Sequence, residues 1–327
     1  MKIFLLCALI SCASSIILGF ITIPLLKRLK IGQPILKYVN EHYFKSGTPT
    51  MGGIFFVIAS VITYFIFSNA KNRLSVIVVA ITLGFTLVGF IDDFIKIKFK
   101  ENKGLTAGQK LFFQIVVSLI ASYIAFDSGL DFIYLPFTSR ELHLGWFSVI
   151  LNAFVFIATV NSVNLTDGLD GLCSSVSIVY FLGLTLLIIL QISSKSFNYI
   201  IKEEYQNLSL LSICFFGALL GYLAFNSPKA SVFMGDTGSL SIGGAISSIS
   251  VFSGNALYLP IAGICFLISS LSVIIQVLYF KKTKKRVFLM APIHHHFQKK
   301  GLSESKISYL YFLITAITFA VLLLNYL

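Results

Sequence analysis

Leu74-Ser-Val-Ile-Val-Val-Ala-Ile-Thr-Leu-Gly-Phe-Thr-Leu-Val-Gly-Phe-Ile-Asp-Asp93 decides the fold. An uncharged run from Leu74 to Ile91 is long enough for a helix to cross the hydrocarbon of a bilayer, which takes roughly 20 mostly apolar residues. Two adjacent carboxylates end it. Comparable stretches run over Phe4–Leu26, Gly53–Phe67, Leu111–Phe126, Trp146–Val163, Ser174–Leu190, Leu208–Phe225, Leu240–Phe252, Leu257–Phe280 and Ile307–Tyr326. Over its 327 residues the chain is 57% apolar and 12% charged, whereas a soluble domain is about a quarter charged. The expectation is an all-α, polytopic membrane protein of ten transmembrane helices, one domain spanning 1–327. The apolar N-terminal run is too long for a signal peptide, and its basic residues (Lys27, Arg28, Lys30) follow rather than precede it. The five cysteines lack Cys-x-x-Cys spacing and read as packing residues.

Basic residues set the orientation. With ten spans, 19 Lys and Arg fall on one side and 6 on the other, so the first side is expected to be cytoplasmic and both termini to face outward. The net charge of +12 is then mostly topology, with anionic lipid or phosphate binding as a second use. Charge scattered among membrane loops argues against nucleic acid. On the outer side, Phe132–Phe137 and Leu142–Trp146 alternate around Thr138-Ser-Arg-Glu141 and read as a small hairpin, with His143 a surface residue.

The cytoplasmic loops gather acidic residues (Asp92, Asp93, Asp167, Asp170, Asp236, Glu304) from several spans. Carboxylates near hydrocarbon are costly, so such a gathering implies a functional site. Lys45-Ser-Gly-Thr-Pro-Thr-Met-Gly-Gly53 is a glycine-rich turn whose N–H groups can approach an anion. Asp92 and Asp93 repel unless a cation or proton lies between them, although Lys96 is placed to pair with both along a helix. Asn164, Asp167 and Asp170 recur every three residues beside Gly168 and Gly171, one face of any helical turn. Phe233-Met-Gly-Asp-Thr-Gly-Ser239 enters the eighth span; Asp236 and Thr237 suit a helix cap, and the same N-terminus suits a phosphate. Its Asp-Thr-Gly-Ser string matches aspartic proteases, but those build their sites on β-structure. Three histidines, His294, His295 and His296, sit in a basic loop. In an extended turn His294 and His296 point one way and His295 the other, so at most two share a ligand; imidazoles beside phosphates fit the nearby carboxylates better than zinc does.

In this order, Gly47–Gly53, Asp92-Asp93, Asn164–Gly171, Phe233–Leu240 and Ala291–His296 resemble the phospho-N-acetylmuramoyl-pentapeptide transferase family, within the polyprenyl-phosphate N-acetylhexosamine-1-phosphate transferases. The likeness covers nearly the whole chain. It implies transfer of phospho-N-acetylmuramoyl-pentapeptide from UDP-MurNAc-pentapeptide to undecaprenyl phosphate at the cytoplasmic face of the bacterial plasma membrane, giving lipid I and UMP with Mg²⁺ required. By resemblance Asp236 is the leading metal ligand with Asp92 and Asp93 beside it, one of that pair serving the acceptor phosphate. His294 is similar to the family's catalytic histidine, with His295 and His296 supporting. Phe233 looks like the uracil-stacking ring near Gly168, Leu169, Asp170 and Lys96. Lys45, Thr50, Asn164 and Asp167 line the path to the diphosphate, with Lys110 a further phosphate candidate. A homodimer in the membrane is implied as well. Two departures, the proline position in Asn226-Ser-Pro-Lys-Ala230 and Leu302 where tryptophan is common, bear on the local backbone and on Asn226.

The nearest rival is a sister enzyme moving GlcNAc-1-phosphate from UDP-GlcNAc; Thr-Met-Gly-Gly and the triple histidine favour the muramoyl branch. Prenyl transferases with Asp-rich loops lack the histidine loop. A transporter would carry its polar groups at midplane within broken helices, and here they lie at span ends.

Overall fold

The computed structural model describes residues 2–28, 47–68, 73–99, 104–138, 140–195 and 197–326. Among these residues eight helices are long and apolar enough to cross a membrane: α1 (Lys2–Arg28), α3 (Arg73–Phe99), α4 (Ala107–Asp127), α5 (Phe147–Thr166), α6 (Leu172–Ser194), α7 (Tyr199–Asn226), α10 (Ile264–Thr283) and α12 (Glu304–Leu323). Helix α2 (Gly53–Phe67) is shorter and apolar. Helix α8 (Gly235–Phe252) starts five residues before the expected span, and every residue from Thr237 to Phe252 is buried.

Composition explains why α8 sits at the centre. In lipid, apolar side chains gain nothing by leaving hydrocarbon, so helices associate where small residues let backbones approach. Helix α8 is built from Gly, Ser and Ala between isolated Leu and Ile residues, and it is flanked by α3 and α5. Its hydroxyls bond within the bundle: Ser247 and Ser248 donate to the carbonyls of Gly243 and Gly244 at 2.7 and 2.6 Å. At the entry to α2, Gly53 lies so close to Gly238 that a Cβ on Gly53 would overlap its Cα.

The expected continuous span over Leu257–Phe280 is broken. A 3₁₀ turn (Ala256–Tyr258) leads into the four-residue helix α9 (Leu259–Ala262), and Gly263 separates α9 from α10. Pro260 lies in the first turn of α9, and Gly263 N–H bonds back to Leu259 O at 2.8 Å. The hairpin is present but shorter than its sequence pattern: β1 (Phe132–Tyr134) pairs antiparallel with β2 (Glu141–His143), Ile133 opposite Leu142. Tyr134 N–H donates to Gly254 O at 2.8 Å, docking β1 on the turn after α8. His143 is exposed beside Asp131.

Candidate active site

The site begins where the end of α3 meets the start of α8. Met234, the N-cap of α8, makes no side-chain cap bond, and Asp236 and Thr237 do not supply one. The cap comes from α3. Asp93 accepts from the backbone N–H of Asp236 at 3.2 Å and of Thr237 at 2.9 Å, and from the Thr237 hydroxyl at 2.7 Å. These are the orphan donors of a helix N-terminus, where a carboxylate is also favoured by the dipole. Gly235, at φ 68°, is required here, because a side chain would strike Asp93 and Thr50. Fully buried Asp93 therefore fixes the direction of Asp236.

Two lysines hold the carboxylates together. Lys96 Nζ lies 2.6 Å from Asp92, 3.5 Å from Asp93 and 3.0 Å from Asp236. Lys110 Nζ lies 2.5 Å from Asp236 and 3.3 Å from Asp92. The helical pairing of Asp92 and Asp93 with Lys96 and their sharing of one site with Asp236 are thus both present. Asn164 donates to Asp236 Oδ1 at 2.8 Å and to Ser239 at 2.8 Å, and Leu105 N–H donates to Asp92 at 2.9 Å. One oxygen from each of Asp92, Asp93 and Asp236 lies within 4.8 Å of the others. Three carboxylates against two ammonium groups leave excess negative charge, and an all-oxygen donor set suits a hard dication.

Beside this cluster is a cavity of about 360 Å³ lined by Thr50, Lys96, Asn164, Asp167, Gly168, Leu169, Asp170, Asn226, Phe233, Gly235 and Asp236. Its walls are set by backbone contacts between distant segments. Phe233 N–H donates to Pro49 O at 2.8 Å, and Gly52 N–H donates to Phe233 O at 2.9 Å, joining the glycine-rich turn to the strand-like entry of α8. Asn226 accepts from the Ser174 hydroxyl at 2.7 Å and donates to Val232 O at 3.1 Å. Asp170 accepts from Ala230 N–H at 3.1 Å, and its own N–H donates to Glu304 at 3.2 Å. Asn226 and Asp170 thus brace the loop that carries Phe233. Asp167, just past the end of α5, is half-buried; desolvation and then the negative charges of Asp236, Asp93 and Asp170 push its carboxyl up to about 8.

The histidines lie on a helix, α11 (Ile293–Lys299), not in the extended turn expected. A helical step replaces alternation, so His294 and His295 converge: both Nε2 atoms point at Gly168, where a Cβ would strike them, and their ring centroids are 4.4 Å apart. His296 turns away and accepts from Leu289 N–H at 3.1 Å. The helix is hung from α10, with Ile293 N–H donating to Ser272 at 2.9 Å. Gln276, which sequence reading passed over as one polar residue in an apolar span, accepts from Val287 and Phe288 N–H at 3.0 Å each and donates to Phe288 O at 3.2 Å. Lys45 lies outside the described residues.

His294 is fully buried and neither ring nitrogen has a hydrogen-bond partner among the described residues. Burial, then the neighbouring His295, pushes its imidazole down to about 3. A free histidine titrates near 6.5. The stabilising effect of a neutral His294 is therefore complete above pH 6.5 and is lost progressively as pH falls toward 3. Between pH 7.5 and 5 it amounts to about 2 kcal/mol. Thermal denaturation of detergent-solubilised protein should show a fall over that range which His294→Asn reduces; equal falls in both proteins would contradict a buried neutral imidazole.

Residues 74–254 match the glycosyl transferase family 4 model, and residues 45–57 match the phospho-N-acetylmuramoyl-pentapeptide-transferase signature 1. Among curated relatives, a phospho-N-acetylmuramoyl-pentapeptide-transferase of Thermoanaerobacter sp. (strain X514) is 42% identical over 302 residues, covering 91% of each chain. That of Clostridium perfringens (strain SM101 / Type A) is 41% identical over 304 residues, 92% of this chain and 90% of the relative. That of Clostridioides difficile (strain 630) is 40% identical over 313 residues, 95% and 94% respectively.

Proposed function

The chain belongs to the phospho-N-acetylmuramoyl-pentapeptide-transferase family, and from that premise we propose that it moves phospho-N-acetylmuramoyl-pentapeptide from UDP-MurNAc-pentapeptide to undecaprenyl phosphate, leaving lipid I and UMP. The observation that carries the chemistry is the convergence of Asp92, Asp93 and Asp236 with Lys96 and Lys110 at the edge of one cavity. Transfer between two phosphates demands positioning and charge neutralisation more than covalent work by the protein.

Asp236, Asp92 and Asp93 would hold Mg²⁺, which supplies charge neutralisation at the donor diphosphate when bound. Within this reading the lysines divide the labour. Lys96, a cavity wall, meets the donor phosphates, and Lys110, held by Asp92 and Asp236, keeps those carboxylates aligned until substrate arrives. Asp93, which also caps α8 and pairs with Lys96, is the positioning member of the pair, which leaves Asp92 as the carboxylate for the acceptor phosphate. Phe233 offers a ring for the uracil, and Asn164, Asp167 and Thr50 line the way from it to Asp236. His294 and His295 sit behind Gly168, where imidazole nitrogens can hydrogen-bond a ligand phosphate.

The same reading takes α2, α8 and the α9–α10 pair as spans beside the other long helices, giving ten. The site then faces the cytoplasm, where a soluble nucleotide donor and a lipid acceptor meet, both termini face outward, and the protein pairs as a homodimer in the inner membrane. The excess of basic residues on the site's side supports that placement. Labelling with impermeant thiol reagents checks it: Arg140→Cys should react in intact cells and Lys229→Cys only after permeabilisation. Cross-linking in native membranes that returns monomers alone would remove the dimer.

The activity itself is tested with purified protein, both substrates and Mg²⁺. UMP should appear only with the metal present and not when UDP-GlcNAc replaces the donor. Release from UDP-GlcNAc at a comparable rate would instead place the chain in the sister branch.

A further inference from the structure

Helix α10 is the least buried of the eight long apolar helices found among the described residues, with Ile268, Leu271, Ile274, Ile275, Leu278 and Phe280 exposed. Its buried residues are Cys265, Phe266, Ser269 and Ser272, so the exposed apolar face is the one left to meet lipid. At its end comes Lys281-Lys-Thr-Lys-Lys-Arg286, then Val287 and Leu289, both exposed. Among the described residues none of these five cations is ion-paired to a carboxylate.

The loop is held in a fixed shape. Lys284 ends α10 in the left-handed conformation at φ 57°, where glycine is the usual and cheaper residue. Lys285 N–H donates to the Thr283 hydroxyl at 3.2 Å, and Arg286 Nη1 donates to Leu289 O at 3.3 Å. The three Gln276 hydrogen bonds fold residues 287–288 back along α10. Attraction to the helix dipole accounts for Lys281 and Lys282 in the last turn; it does not reach Lys285 and Arg286. Apolar side chains and unpaired cations together, on a rigid tip at the end of a lipid-exposed helix, match the chemistry of an anionic bilayer surface.

We propose that the tip formed by Lys281, Lys282, Lys284, Lys285 and Arg286, with Val287 and Leu289, docks on the headgroups of anionic phospholipids in the leaflet on the site's side. Through Gln276 and Ser272 the same α10 carries the histidine helix, so lipid held at the tip fixes the depth at which α11 is presented to Gly168. The inference rests on the membrane placement proposed above and not on the transfer chemistry, and its test needs no turnover.

A bimane fluorophore on Val287→Cys reads the local lipid in nanodiscs of phosphatidylcholine doped with tail-brominated lipid. Brominated phosphatidylglycerol should quench roughly threefold or more beyond brominated phosphatidylcholine at the same mole fraction, given the attraction of several cations near an anionic surface. The excess should vanish in about 1 M salt, where the screening length shrinks to a few ångströms, and after Lys281, Lys282, Lys284, Lys285 and Arg286 are all changed to Gln. If that variant does not fold, Lys284→Glu with Lys285→Glu should give the same loss. Equal quenching by the two lipids overturns the proposal. So does displacement of the brominated phosphatidylglycerol by undecaprenyl phosphate at a one-to-one ratio to protein, which would make the tip an acceptor-phosphate site.

Discussion

Asp236→Asn is expected to lower UMP release by roughly 10³-fold, the scale on which removal of one preorganised electrostatic group slows a reaction that develops charge, while the protein stays folded. Asp236 meets both lysines, accepts from Asn164 and lines the cavity, so it joins the carboxylate cluster to the cavity proposed to take the donor. The substitution keeps the shape and removes the charge. Lys96 and Lys110 keep Asp92 as a partner, which limits the cost in stability. Rate and thermal midpoint measured on one preparation separate these effects. A variant retaining activity within about tenfold of the parent would exclude Asp236 from the transfer step.

Gly89→Ala should cost both stability and rate. Gly89 lies one helical turn before Asp92 and Asp93, and a Cβ there would overlap the carbonyl of Asp236 and come to 2.7 Å from Thr237 N. Those atoms are backbone and cannot rotate away. Overpacking of this kind costs about 1–3 kcal/mol or more. Because α8 must move to relieve it, Asp236 is displaced from Asp92, and a shift of about 1 Å at a reacting centre can cost about 10²-fold in rate. Gly84→Ala on the same helix is the control, since its Cβ would meet only the two Val117 methyls, at 3.4 and 3.8 Å. If the two variants melt and turn over alike, the close approach of α3 to α8 is not what aligns the carboxylates.

Most of the candidate site was legible because its residues break local rules. An Asp-Asp pair ending an apolar run, acidic residues at three-residue spacing among glycines, and three adjacent histidines each need a reason beyond helix formation. The glycines and amides that hold the site gave no such signal. Gly89 and Gln276 sit inside apolar spans, where a glycine or a single amide is ordinary, and their roles depend on which backbone lies opposite. The histidines were visible as a group but misjudged in geometry. Alternation was expected, whereas a short helix behind Pro292 brings His294 and His295 together and sends His296 to Leu289. In Leu257–Phe280, Pro260 and Gly263 were local breakers masked by the surrounding hydropathy.

Length and hydropathy by themselves determined that this chain is a multi-pass bundle of long apolar helices joined by charged loops, because the bilayer imposes span length on any sequence that enters it. Tertiary structure alone decided which donors each carboxylate meets. Asp92 and Asp93 are neighbours with the same side chain, and only the arrival of α8 from more than a hundred residues away turns Asp93 into a cap for Asp236 and Thr237 while Asp92 stays with the lysines. The physical reason is that a carboxylate's role is set by the donors around it, and those donors come from other segments of the chain.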